Sequence, residues 1–256
     1  MGDEILREDR GYICTLSINR PQKRNALNAD ALFNLGDAFK ELKDDDRIRV
    51  VVIRGAGDKI FSSGVDLSGG SPEETINGLE HCLNNTIDYP SSIIAMISGP
   101  AIGAGLDISV ISDFRIASET ARFGATLVKL GRIYYYTAIH RLINLIGIAA
   151  SKELLLTGRL IDSKRALEMG LVNQVLPNDQ LTDTTYHLAN ELAEENAPRA
   201  MRATKLTIKR LLNYKQIDPH VESELIALAA QVNQSEDATE GVMAMLEKRK
   251  PKFTGK

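Results

Sequence analysis

Apolar positions along the chain change their spacing several times, and each change marks an element. YICTLSIN (12–19) and IRVVVIRG (48–55) concentrate apolar, largely β-branched residues in short runs, which predicts two strands, the second one buried. Between them ALNADALFNLGDAFKELKDD (26–45) returns its apolar residues every three or four positions, predicting an amphipathic helix capped near Asn28. Strand, helix, strand is the unit that builds parallel sheets. The alternation continues with a helix around 73–88, a strand SSIIAMIS (91–98) ended by Gly99-Pro100, a helix over roughly 103–112 and a strand DFRIAS (113–118).

Beyond about residue 130 the pattern becomes helical with few strand signals: TAIHRLINLIG, AASKELLLTG, DSKRALEMG, a long run over about 181–213, and a final helix over 219–248 ending in EKRKPKFTGK. The chain therefore divides softly into a βα core, 1–194, and a helical C-terminal region, 195–256.

Composition narrows the picture. With 256 residues and 43% hydrophobic content the chain can bury a large core. A net charge of −3 gives no general reason to expect nucleic acid. The two cysteines, Cys14 and Cys82, stand in unlike contexts, and the four histidines form no ligand cluster, so neither a disulfide framework nor a metal site is expected. No apolar run approaches the ~20 residues that span a bilayer. A soluble, cytoplasmic protein is the expectation.

Candidate chemistry begins at MISGPAIGAGLDISV (96–110), where Asp107 stands between small residues and an apolar stretch. Burying a charge there is costly unless it is paired or used. At the start of a helix the carboxylate would gain from the helix dipole and from capping N–H groups, which would keep it ionised. Two Gly-containing turns, FSSGVDL and AIGAGLD, are places where backbone N–H groups can face a ligand. Two such donors on one carbonyl oxygen make an oxyanion hole; a tight turn is the alternative for each.

RPQKRNALN (20–28), GDKIFSSGVDL (57–67), SGPAIGAGLDISVISDFRIAS (98–118), FGATLVKLG (123–131), LLLTGRLIDSKRALEMGLVNQVLP (154–177) and AMLEKRKPKF (244–253) together resemble the crotonase, or enoyl-CoA hydratase/isomerase, family. The resemblance implies an α/β fold, a spiral of ββα units with a helical C-terminal trimerisation region, assembled as a homotrimer or a dimer of trimers. It implies an acyl-CoA thioester substrate and no cofactor beyond the coenzyme A moiety. It places the oxyanion-hole donors on the N–H groups of Val65 and Ala104, and Asp107 where hydratases carry their first catalytic glutamate. For the coenzyme A moiety it suggests Lys23, Arg24, Ser68 and the tail residues Lys248, Arg249 and Lys250.

Departures from the family pattern matter equally. The second hydratase glutamate falls on Leu127, which can neither donate nor accept a proton. Downstream, GRIYYYTAIH (131–140) holds three of the seven tyrosines. LVKLGRIYYYTAIHRL resembles the matching segment of a crotonase-family decarboxylase acting on methylmalonyl-CoA, whose pocket tyrosine falls on Tyr134 and whose pocket histidine falls on Val65. Tyr135 and Tyr136 read as packing residues, and His140 is given no role. Enoyl-CoA hydration leads as the expected activity, with decarboxylation through Tyr134 as the alternative. A CoA-binding protein that has lost its chemistry is the reading from another class.

Overall fold

Residues 2–68, 70–213 and 219–252 are described by a computed structural model; Phe253, the last residue of the family resemblance, lies outside them. The chain opens with β1 (Ile5–Arg10) and β2 (Ile13–Ile18), then runs through α1 (Ala29–Lys43), β3 (Val50–Gly55), α2 (Pro72–Ile87) and β4 (Ser92–Ile97). A two-residue β5 (Ala101–Ile102) leads into α3 (Ala104–Ile111), followed by β6 (Phe114–Ser118), β7 (Arg122–Gly124) and a 3₁₀ turn, Leu127–Leu130. The remainder is α4 (Tyr136–Thr157), β8 (Ile161–Asp162), α5 (Ser163–Glu168), β9 (Gln174–Leu176), α6 (Asn178–Asn190), α7 (Pro198–Asn213), α8 (Pro219–Asn233) and α9 (Glu236–Leu246).

The main sheet has the order β1-β2-β3-β4-β6-β9, parallel throughout except for β1, which pairs antiparallel with β2. Successive side chains of a strand point to opposite faces, so β3 feeds two cores. Val51 and Ile53 pack with α1 and α2, whereas Val50 and Val52 pack with Leu181 and Ala189 of α6. That double burial explains why β3 reads as an unbroken apolar run. Asn28 caps α1 by accepting from the Ala31 N–H at 3.1 Å, and the face carrying Ala31, Leu35, Ala38, Phe39 and Leu42 is buried. A smaller sheet, β5-β7-β8, lies beside the start of α3.

Three elements differ from the sequence expectation. The charged N-terminus forms β1, an edge strand with only Ile5 buried, and such strands carry charges that discourage pairing with other chains. The helical run expected over 181–213 is interrupted: after α6 comes a π-helical turn, Glu191–Glu195, and Asn196 turns extended (φ −103°, ψ 142°). Pro198 then opens α7, since proline disfavours helix just before it and suits the first turn of a new one. The helix expected over 219–248 is two helices, because Ser235 caps α9 by accepting from the Ala238 N–H at 3.0 Å.

The C-terminal helices are fastened to the 127–136 segment. A Cβ on Gly241 of α9 would lie 2.3 Å from the Leu130 carbonyl group, so this contact needs glycine. Tyr136 donates to Glu222 of α8, and the Ile133 N–H donates to the Asn233 side-chain oxygen at 3.2 Å. Among the described residues, no helix is long and apolar enough to cross a membrane.

Both cysteines are buried and free. Burial pushes the Cys14 thiol upward, and it pushes the Cys82 thiol up to about 12. Because the thiolate is the reactive form, iodoacetamide at pH 8 should leave both unlabelled in the folded protein and label both after denaturation. Mass spectrometry of the adducts checks this; rapid labelling of either in the native state would contradict the burial.

Candidate functional site

Three stretches of backbone lie side by side at one end of the main sheet: 25–27, 61–66 and 100–104. Ser62 ties them together. Its N–H donates to the Pro100 carbonyl at 3.0 Å, its carbonyl accepts from the Ile102 N–H at 2.9 Å, and its hydroxyl donates to the Asn25 carbonyl at 2.8 Å. Next to it the Leu27 N–H donates to the Gly64 carbonyl at 2.8 Å and the Asp66 N–H donates to the Leu27 carbonyl at 2.9 Å.

This pairing aims the Val65 N–H. No cis peptide bond occurs among the described residues, so N–H and C=O of a peptide unit point opposite ways. With the Gly64 carbonyl directed at Leu27, the Val65 N–H faces away from Leu27. Ala104 is the first residue of α3, and the Gly103 carbonyl accepts from the Asp107 N–H at 3.1 Å. The Ala104 N–H is therefore an unused donor of a helix start, directed out of the helix. The two turns are in contact: a Cβ on Gly64 would lie 3.5 Å from the Ala104 nitrogen and 2.9 Å from the Ile102 carbonyl oxygen. Gly64 (φ 96°) and Gly103 (φ 58°, ψ −122°) hold backbone conformations that side chains resist. Gly64→Ala should cost about 1–3 kcal/mol through backbone strain at this point. Urea unfolding measures it, and a change under 0.5 kcal/mol would count against the tight packing of the turns.

Asp107 is 8% exposed and stands in the first turn of α3, and its side-chain hydrogen bonds come from another helix. Arg141 of α4 grips it, with Nη2 donating to Oδ1 at 2.9 Å and to Oδ2 at 2.8 Å and Nε donating to Oδ1 at 3.1 Å. Of the expectation, the helix-start position holds, while the hydrogen bonds expected from capping N–H groups come from Arg141 instead. Burial pushes its carboxyl above the ordinary value, and the charge and hydrogen bonds of Arg141 pull it back. No other carboxylate perturbs it; Leu127, where a second acid would stand, begins the 3₁₀ turn.

Tyr134 packs against the main core, with its hydroxyl 3.9 Å from where a Cβ on Gly103 would stand. That hydroxyl is sealed from water and has no hydrogen bond of ordinary geometry, although the Thr126 backbone lies close enough to act on it as a weak donor. Burial first, and the negative charge of Asp107 second, push the phenol well above its usual range, while the nearby Thr126 backbone offsets a little of this. It is a neutral, proton-bearing group at physiological pH. Tyr135 is exposed and Tyr136 serves the contact with α8.

Of the residues expected to meet coenzyme A, Arg24 and Ser68 adjoin this cluster: the Arg24 carbonyl accepts from the Ser63 N–H at 3.1 Å, and Ser68 bonds to Asp66, next to Val65. Arg24 is exposed, in the left-handed region (φ 55°). Ser68 donates its hydroxyl to Asp66 at 2.6 Å, and Asp66 pairs with Arg20 at 3.0 Å. Burial opposes, yet those hydrogen bonds carry the Asp66 carboxyl below its ordinary value. Lys248 and Lys250 are exposed, and between them Arg249 is held by Glu240 and Glu247. Sequence reasoning missed Arg141 altogether. Its signal was a cation inside the apolar run TAIHRLINLIG, but nothing in the sequence pairs it with a carboxylate 34 positions earlier.

Comparison with known proteins agrees with this architecture. The enoyl-CoA hydratase/isomerase family profile matches residues 8–256. The short-chain-enoyl-CoA hydratase of Clostridium acetobutylicum is 33% identical over 254 residues, covering 97% of this chain and 96% of that one. Among solved structures, a methylmalonyl CoA decarboxylase superposes with a TM-score of 0.91 at 30% identity, covering 99% of this chain and 98% of that one. A carnitinyl-CoA hydratase from Mycobacterium avium does so with a TM-score of 0.88 at 31% identity over the whole of both chains. The chain belongs to the crotonase, or enoyl-CoA hydratase/isomerase, family of acyl-CoA enzymes.

Proposed function

We propose that this enzyme forms a thioester enolate by decarboxylating a malonyl-type acyl-CoA. The observation that carries the reading is the buried, unpartnered Tyr134 hydroxyl beside the Gly103–Ala104 turn, together with a carboxylate that Arg141 already occupies. The Val65 and Ala104 N–H groups hold the thioester oxygen. As the bond between the α carbon and its carboxylate breaks, carbon dioxide leaves and the electron pair passes into the enolate, whose oxygen the two N–H groups stabilise. Each such donor is worth about 3 kcal/mol in known enzymes. The Tyr134 O–H then protonates the α carbon, and the phenolate, disfavoured by burial and by Asp107, is restored by a proton from solvent. The acyl group must part the side chains closed over Tyr134 to reach it.

Hydration is the second reading, favoured by the hydratase names of relatives and by the position of Asp107. It lacks a second acid or base, because Leu127 supplies none, and the one carboxylate present is engaged. Coenzyme A binding is proposed for Arg24, Ser68, Lys248 and Lys250, and a trimer or a dimer of trimers for the assembly.

Turnover of methylmalonyl-CoA and crotonyl-CoA, followed in parallel by carbon dioxide release and by loss of enoyl absorbance, tests this. Carbon dioxide release with crotonyl-CoA untouched is expected. Hydration of crotonyl-CoA alone would replace the decarboxylase reading with the hydratase one, and silence on both with coenzyme A still bound would favour a protein that has lost its chemistry.

A further inference from the structure

Tyr134 also lines a cavity of about 1050 Å³ between α4 and the α8–α9 pair. Its walls are largely apolar, with Ile139, Ile143 and Leu155 among them. Two of the polar residues in this lining are in an unusual state. Of the three buried side-chain polar atoms without a hydrogen bond among the described residues, two are Arg132 Nε and the Tyr134 hydroxyl oxygen, and both residues face this cavity. An unsatisfied buried donor costs about 1–3 kcal/mol, and more when charged, so one placed against an apolar cavity invites an acceptor.

Arg132 differs from Arg141 in a telling way. Arg141 is neutralised by Asp107, whereas Arg132 has no ion pair within 4.0 Å among the described residues. Asp237, a carboxylate lining the same cavity, has an interaction of its own. Lys152 on the cavity wall adds a second positive charge. Arg132 is only partly buried and lines the cavity, so its guanidinium lies within reach of a ligand there. A guanidinium presents a planar fork that matches a carboxylate with two parallel hydrogen bonds.

We propose that this cavity receives the acyl part of the thioester and that Arg132 is a specificity-determining residue, selecting acyl groups that bear a carboxylate. The inference rests on the acyl-CoA reading above and names the residue that selects its carboxylate-bearing substrates. Arg132 recognises the carboxylate in the ground state, so it sets which thioester enters and leaves bond cleavage to the oxyanion hole.

The test uses CoA thioethers, which lack the reacting carbonyl and cannot turn over: S-carboxyalkyl-CoA compounds of two to five acyl carbons and S-alkyl-CoA compounds of matched length. Calorimetry on the full-length protein should show at least one carboxyalkyl compound bound roughly ten- to a hundredfold more tightly than its neutral counterpart. Arg132→Gln should erase that preference while leaving the neutral compounds within about twofold, and Arg132→Lys should keep part of it. No preference in the wild type, which needs no variant to establish, would overturn the proposal, as would an equal loss for both series in Arg132→Gln. If coenzyme A and the neutral compounds bind but the carboxylate gains nothing, this inference fails alone; if no CoA compound binds, the acyl-CoA reading fails and takes it along.

Discussion

Replacing Arg141 by Met should destabilise the protein by about 3–5 kcal/mol at pH 7, because it leaves a buried carboxylate with no counter-charge. In the native protein three hydrogen bonds of 2.8–3.1 Å hold Asp107, and burial alone already pushes its carboxyl upward. Without Arg141 that upward push is unopposed, so the folded state binds a proton that the unfolded chain releases near its ordinary value of about 4. Stability of the variant then falls as pH rises above that value, and its deficit against the wild type shrinks toward pH 4. Urea unfolding across pH 4–8 measures both features. The double variant Asp107→Asn with Arg141→Met should recover much of the loss, since it removes the stranded charge together with its partner. A deficit below 1 kcal/mol that does not vary with pH would mean that Asp107 is relieved by water instead.

Tyr134→Phe should lower kcat about 10²- to 10⁴-fold, the range by which a positioned general acid contributes, while KM changes little. Phenylalanine keeps the ring packed against the core and removes only the hydroxyl. That hydroxyl is buried with no hydrogen bond of ordinary geometry, so stability should hold or rise slightly, by up to about 1 kcal/mol. Activity falling while stability does not fall is the signature of a group retained for chemistry. Full activity in Tyr134→Phe would remove the decarboxylase mechanism, and a large loss of stability would assign the hydroxyl a structural partner.

Sheet and helices of the first 118 residues are legible because local signals suffice there. Short apolar, largely β-branched runs mark β2, β3 and β4, and Asn28 announces the start of α1 by the hydrogen bond it makes. The edge strand β1 escaped, since an exposed, charged strand has no apolar alternation to reveal it. In the C-terminal half, helix was correctly read but its interruptions at Asn196 and before Ser235 were not, because helical periodicity runs on across a single extended residue or cap.

Of the candidate site, the sequence by itself determined the two glycine turns, Asp107, the missing acid at Leu127 and the tyrosine run, all of them features of neighbouring residues. Tertiary structure alone decided what those features do to one another. The Val65 N–H is aimed by a hydrogen bond between Leu27 and Gly64, residues 37 positions apart in the chain. Asp107 is committed to Arg141 on another helix, the Tyr134 hydroxyl is sealed from water, and Arg132 faces a cavity bordered by helices about a hundred residues downstream. Charge pairing and burial depend on distance in space, which a linear pattern of residue types does not contain.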